Sequence, residues 1–400
     1  MTQPFDIVST ERSQRLEEFF KAVRGGDGET VRGMVEDDGS LLAAYAPNQW
    51  CCRETPLNAA ISGGSFQMTR LLLDLGADPN QPSAWWAGGF RPLHVVAPTR
   101  QDLVDLLLAR GAVVDIHAAA RLGDMDRVRE LLEHDPFLLH QPGGDGGRPL
   151  HFARDVDVAT ELMDRGALLE LRDVDHGSTA AQWAVHDRPE VCRAILDRGG
   201  AADPFMLAAL GDGPRLASWL LQHPEDAGAV LTPEAYPSPG SKAGHMYAFT
   251  LTGYGSTLLQ TAAKFGSAEA VDVLVARGAD PGARGGYDDQ TALHTAASND
   301  RPEAVRALAR HGADLNALSG PEHETPPLVW AIVFGAARSV EALLDLGARV
   351  DAQVLGSAET GAQGEYRQFS KAPMESWERI LAEVKAGFGA FGDSNGDPSD

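Results

Sequence analysis

Positive charge is scarce in this sequence: 34 Lys and Arg stand against 57 Asp and Glu, a formal net charge of −23 over 400 residues. A surface that acidic repels phosphate backbones and anionic headgroups, which argues against nucleic acid and membrane as partners. A basic protein segment, a cation or a neutral small molecule stays compatible. Cysteine is scarcer still. Of Cys51, Cys52 and Cys192, the first two are sequence neighbours, which rarely bridge, and the odd count leaves one over. No CxxC pair offers zinc spacing, so the three read as structural thiols in a reducing compartment. Long apolar runs are missing. The longest, Leu328 to Phe334, is far too short to span a bilayer. The opening Met1-Thr2-Gln3-Pro4-Phe5-Asp6 lacks the basic region and apolar run of a signal peptide, so a cytoplasmic location is expected. There is no GxSxG, HExxH or P-loop pattern. A GxGxxG match at Gly387 to Gly392 follows no strand pattern and precedes an acidic tail, which argues against dinucleotide binding.

What the chain does have is a period. Gly-Ala pairs begin at Gly76, Gly111, Gly166, Gly200, Gly278, Gly312 and Gly347. The steps between them are 35, 55, 34, 78, 34 and 35 residues. A step of 34 or 35 is one structural unit; the longer two each read as two units, the first trimmed and the second carrying an insertion. A fixed period in this range marks a solenoid, whose core is built by stacking neighbours.

The units share an opening and a close. Thr55-Pro56-Leu57-Asn58-Ala59-Ala60 leads to Leu71-Leu72-Leu73-Asp74-Leu75-Gly76-Ala77-Asp78. Arg91-Pro92-Leu93-His94 leads to Leu106-Leu107-Leu108 and Gly111-Ala112, and Thr291-Ala292-Leu293-His294 leads to Gly312-Ala313-Asp314. This pattern resembles the ankyrin repeat over roughly residues 15–353. The resemblance implies an all-α solenoid of about ten helix-turn-helix units with helical caps, and a surface for binding rather than catalysis. In that family the opening His links neighbouring turns, which gives His94, His117, His151 and His294 a structural reading. The physics agrees. Thr is an N-cap, Pro suits the first turn, small Ala pairs allow close helix packing, and Gly ends the second helix in the left-handed region.

Degenerate units fill the gaps, one from Ile116 and one from Phe205, closing on Asp135-Pro136 and His223-Pro224 in place of Gly-Ala. The unit from Pro149 to Gly166 is about three residues short. The expected organisation is a tail at 1–14, the repeat array at 15–353 with an insertion at 224–255, a linker at 354–372, a capping helix at 373–391 and a disordered acidic tail at 392–400.

Candidate functional residues lie where the period is irregular. The tips carry Trp50, Trp85, Trp86, Phe90, Tyr287 and Asp288, and aromatics on a rigid surface are good binding anchors. The tip Asp173-Val174-Asp175-His176 before Trp183 departs from the repeat consensus and resembles a stretch found in a bacterial subgroup of ankyrin proteins. The insertion contributes His245, Tyr247 and Tyr254. Two functions stay open. One is a monomeric, non-enzymatic module that takes a protein or peptide with basic patches on its concave face. The other is a small-molecule or catalytic site in which His176 or His245 is the acid or base, Asp175 orients it, and Trp183 and Tyr247 shape the pocket. No cofactor is implied. A metal at Asp173, Asp175 and His176 lacks an obvious fourth ligand, so none is assigned.

Overall fold

The computed structural model describes residues 10–47, 53–237 and 246–392. They fall into two compact units, one ending at Ala201 and the other beginning at Ala202. Each is a stack of antiparallel helix pairs, and the fold class is all-α, a helical-repeat solenoid.

The first unit opens with the pair Thr10–Gly25 and Gly28–Asp37. Helix thus begins inside the segment expected to be a tail at 1–14. Phe19, Phe20 and Val23 are buried on one face and seal that end of the stack. Five repeats follow, whose first helices are Pro56–Ser62, Pro92–Val95, Ile116–Leu122, Pro149–Phe152 and Ala180–Ala184. Their second helices are Phe66–Asp74, Gln101–Ala109, Met125–His134, Val156–Asp164 and Pro189–Asp197. First helices pack on first helices through buried Ala59, Ala60, Ala119 and Ala181, which let backbones approach closely. Second helices bury Leu72, Leu107, Leu162 and Ile195 between the layers, each stabilising by about 1.5–3 kcal/mol. The shortness of the 149–166 unit is taken up by its first helix, which has four residues, while its second has the usual nine.

The second unit repeats the plan with first helices Pro204–Leu210, Leu258–Phe265, Ala292–Ser298 and Pro327–Val333. The matching second helices are Gly213–Gln222, Ala268–Ala276, Pro302–Arg310 and Ala337–Asp345. The insertion at 224–255 is organised where it is described. It contains a 3-10 turn, Pro224–Gly228, and a helix, Met246–Leu251, and Val230 bridges to Thr257.

Two expectations need correction. The fourth rung of the Gly-Ala ladder is Gly199-Gly200, not Gly200-Ala201. Gly199 has the left-handed φ of 93°, and Gly200 takes the place Ala holds elsewhere, its N–H bonded to the Ile195 carbonyl. Second, the segment 354–372 is no linker. Helix Ala352–Ala362 stacks on Pro327–Val333, and Met374–Gly392 stacks on Ala337–Asp345, so the two form a further pair. Asp351 caps the first of them, and Val354, Ala358 and Gly361 supply its buried face. Gly361 is where the Trp377 ring lands: a Cβ at 361 would sit 2.5 Å from Cδ1 of that ring. Trp377 is fully buried and its Nε1 donates to the Ile332 carbonyl at 2.9 Å.

Candidate functional site

In the first unit three tips interlock, at 85–90, 143–147 and 172–179. The middle one, Gly143-Gly144-Asp145-Gly146-Gly147, is built for close approach. A Cβ at Gly146 would lie 2.3 Å from Cγ2 of Val174, and one at Gly144 would lie 2.4 Å from Cδ1 of the Phe90 ring. Asp145 itself takes φ 54°, a left-handed conformation Asp tolerates better than most residues. Its N–H donates to the Gly88 carbonyl, and its own carbonyl accepts from Val174 and Asp175, so one residue ties the tip before it to the tip after it.

Asp173, Asp175 and His176 are all buried. Asp173 serves its own loop: its carboxylate accepts from the His176 and Ser178 N–H groups and from Trp183 Nε1, the last at 2.9 Å. Asp175 accepts from Trp85 Nε1 at 3.0 Å. The His176 ring lies between two carboxylates, with Nε2 3.4 Å from Asp175 and 3.7 Å from Asp145. Burial, then the charges of Asp175 and Asp173, push the Asp145 carboxyl up to about 7.

Two further groups hold metal-binding atoms within 4.8 Å of one another. In His94, Asp115 and His117 every group has a structural use. His94 accepts from the Arg91 N–H and bonds Asp115 at 2.9 Å, Asp115 caps Ile116–Leu122, and His117 donates to the Gln141 carbonyl. Burial opposes ionisation of Asp115, but the His94 hydrogen bond and charge outweigh it and hold the carboxyl at about 2. Burial, then the nearby His94, hold His117 down to about 4.

The third group, in the second unit, is Asp288, Glu322 and His323. Asp288 and Asp289 turn the short hairpin of Arg284–Gly285 and Gln290–Thr291 with positive φ. The Asp288 carboxylate is buried and pairs with His323 Nδ1 at 2.9 Å. His323 is the hub of a ring cluster. Its centroid is 6.1 Å from Tyr287 and 5.6 Å from Trp330, and Trp330 stacks on Phe334 at 6.0 Å with planes 9° apart. Tyr287 is 65% exposed, and the Trp330 indole N–H has no acceptor among the described residues.

Family models describing ankyrin repeats match residues 52–84, 202–317 and 259–354. The mouse ankyrin repeat and SAM domain-containing protein 6 is 29% identical over 89 residues, covering 21% of this chain and 10% of that protein. A putative ankyrin repeat protein of fowlpox virus (strain NVSL) is 27% identical over 129 residues, covering 29% of this chain and 30% of its own. The chain carries ankyrin repeats. It spans less than a third of either relative's length. No helix among its described residues is long and apolar enough to cross a membrane.

The ankyrin scaffold distributes the remaining candidates unevenly. Trp50 and His245 lie outside the described residues. Trp86 is exposed, whereas Phe90 packs on Phe152. Tyr247 is buried and donates to both oxygens of Asp203, the N-cap of Pro204–Leu210. Tyr254 donates to the Tyr236 carbonyl. Burial, with Asp203 close by, raises the Tyr236 phenol far above its usual range. These insertion tyrosines brace the second unit. Three residues escaped the sequence reading: Asp145, Trp330 and Phe334. A lone acid among four glycines was the available signal for the first. The i, i+4 aromatic pair of the others was hidden inside an apolar run.

Proposed function

We propose that this ankyrin-repeat chain is a non-enzymatic module that binds a protein or peptide through the Tyr287–His323–Trp330–Phe334 cluster of its second unit. The observation that carries the reading is the cluster itself, a run of partly exposed rings on a rigid base. Asp289, Glu322 and Glu324 are exposed beside it. Aromatic faces rimmed by carboxylates suit an arginine-bearing segment, whose guanidinium stacks on rings while its charge is neutralised. The acidic surface adds salt-sensitive attraction.

The acid–base alternative is less well supported. His176 is buried between Asp145 and Asp175, the second of which already accepts from Trp85, and Tyr247 is committed to Asp203.

The test is capture of the purified chain on an array of arginine-containing and arginine-free peptides at low and high salt. Arginine-dependent capture that weakens with salt is expected, and Tyr287→Ala or Trp330→Ala should weaken it at least ~10-fold, as central aromatic anchors do. Capture indifferent to salt and to both substitutions would sink the reading.

A further inference from the structure

We infer that Asp145, Asp175 and His176 form a binding site for one divalent transition-metal ion, seated between the 143–147 and 172–179 tips. Three protein ligands leave the fourth position to water, so the ion would clasp the two tips without being fully enclosed.

The donor atoms come first. One carboxylate oxygen from each Asp and one imidazole nitrogen lie within 4.8 Å of one another. The His176 to carboxylate separations, 3.4 and 3.7 Å, are long for hydrogen bonds. Two ligands about 2.0–2.2 Å from a shared tetrahedral ion stand roughly 3.3–3.6 Å apart, which matches.

The second observation is the state of the imidazole. His176 is 7% exposed, its Nε2 is directed at both carboxylates, and its Nδ1 has no hydrogen-bond partner among the described residues. A buried imidazole is normally satisfied on both nitrogens. Ligation through Nε2 would account for a ring aimed at acids without hydrogen-bonding geometry.

The third is charge. Asp145, Asp173 and Asp175 are crowded into one buried locus, and the Arg172 and Arg148 guanidiniums beside it donate to backbone carbonyls at Gly177 and Gly146. A dication at the His176 face compensates the excess. Asp173, the ligand suggested by sequence adjacency, already accepts three hydrogen bonds. Asp145 replaces it from a tip some thirty residues earlier. Imidazole among the donors favours zinc over calcium or magnesium, which take oxygen ligands alone, and the two carboxylates also suit manganese.

The experiment titrates the chelator-treated full chain with Zn2+ and, separately, Mn2+, followed by calorimetry and thermal melting. One ion per chain is expected, with a melting temperature raised by about 5 °C or more at a hundredfold excess over Kd. Asp145→Asn keeps a side chain that tolerates positive φ, so it should melt like the parent in chelator. It should bind at least ~100-fold more weakly, as should His176→Gln. Should Asp145→Asn itself fail to fold, His176→Gln and Co2+ absorption of the parent decide the matter, since Co2+ held in low coordination by these ligands absorbs far more strongly than the hexaaqua ion, and His176→Gln should abolish that absorption. Absence of binding by either ion, or binding that both variants retain, overturns the site.

Discussion

His294 and Gln260, one repeat apart, play the same two hydrogen-bonding roles with different chemistry. His294 Nδ1 accepts the Thr291 N–H at 3.2 Å, and its Nε2 donates to the Thr325 carbonyl at 3.0 Å. Gln260 Oε1 accepts the Thr257 N–H at 2.7 Å, and its Nε2 donates to the Gly285 and Gln290 carbonyls. An amide thus does what a neutral imidazole does: it caps its own helix and ties down the next tip. Only the imidazole can titrate.

That difference yields a pH prediction. Burial holds His294 down to about 4, against 6.5 for an ordinary imidazole. Between those values the unfolded chain binds a proton that the folded chain does not, so stability falls as pH falls. From pH 7.5 to 5.5 this ring should cost about 1 kcal/mol. His294→Gln should match the parent at pH 7.5 and lose less stability on acidification, measured as urea midpoints at the two pH values. Equal pH slopes would show that the ring is not held neutral.

The C-terminal pair offers two glycines with opposite expectations. Gly356 has open space where a Cβ would go, so Gly356→Ala should stabilise by roughly 0.5–1 kcal/mol through helix propensity. Gly361→Ala would drive a methyl into Trp377 and should destabilise by about 1–3 kcal/mol. Thermal melting distinguishes them. A segment 354–372 without helix would show neither effect.

Tyr247→Phe removes a hydroxyl that donates to the half-buried Asp203 carboxylate at 2.7 Å. The expected loss is about 1.5–3 kcal/mol, the range for a hydrogen bond to a charged group. Tyr254→Phe, which loses one bond to a backbone carbonyl, should cost about 1 kcal/mol. Chemical denaturation of both variants checks the order. If the insertion were a mobile loop, neither change would register.

Gly146→Ala should be among the most damaging single changes in the first unit. It combines φ 73° with a Cβ 2.3 Å from Val174. Gly76→Ala has a comparable φ of 100° but nothing within 4 Å, so only backbone strain of roughly 1 kcal/mol applies. Comparing the two melting temperatures separates crowding from conformation.

The scaffold was legible because its rules are local. Thr55 and Thr257 cap their helices, Leu72 and Leu107 recur on the buried stripe, and Gly76 and Gly278 end their helices in the left-handed region. Each sits a few residues from the feature it determines. Gly199 misled because two glycines adjoin, and only the backbone shows which one turns. The glycines of 352–362 suggested a linker because their compensation, Trp377, comes from another helix. Asp145 was invisible for the same reason. Its partners lie on the tips before and after it, brought there by the repeat stack rather than by sequence proximity.

Trp85 and Asp175 are 90 residues apart in sequence, yet the indole N–H meets the carboxylate at 3.0 Å. A repeat protein ordinarily touches only its nearest neighbours, so its stability is a sum of adjacent couplings and it can fray one repeat at a time. Here an indole reaches past the 143–147 tip to the one beyond. The repeats between residues 85 and 179 therefore share a longer correlation length. They should open as a single foldon in native-state hydrogen exchange, and none can be excised or shuffled without unpairing its neighbours.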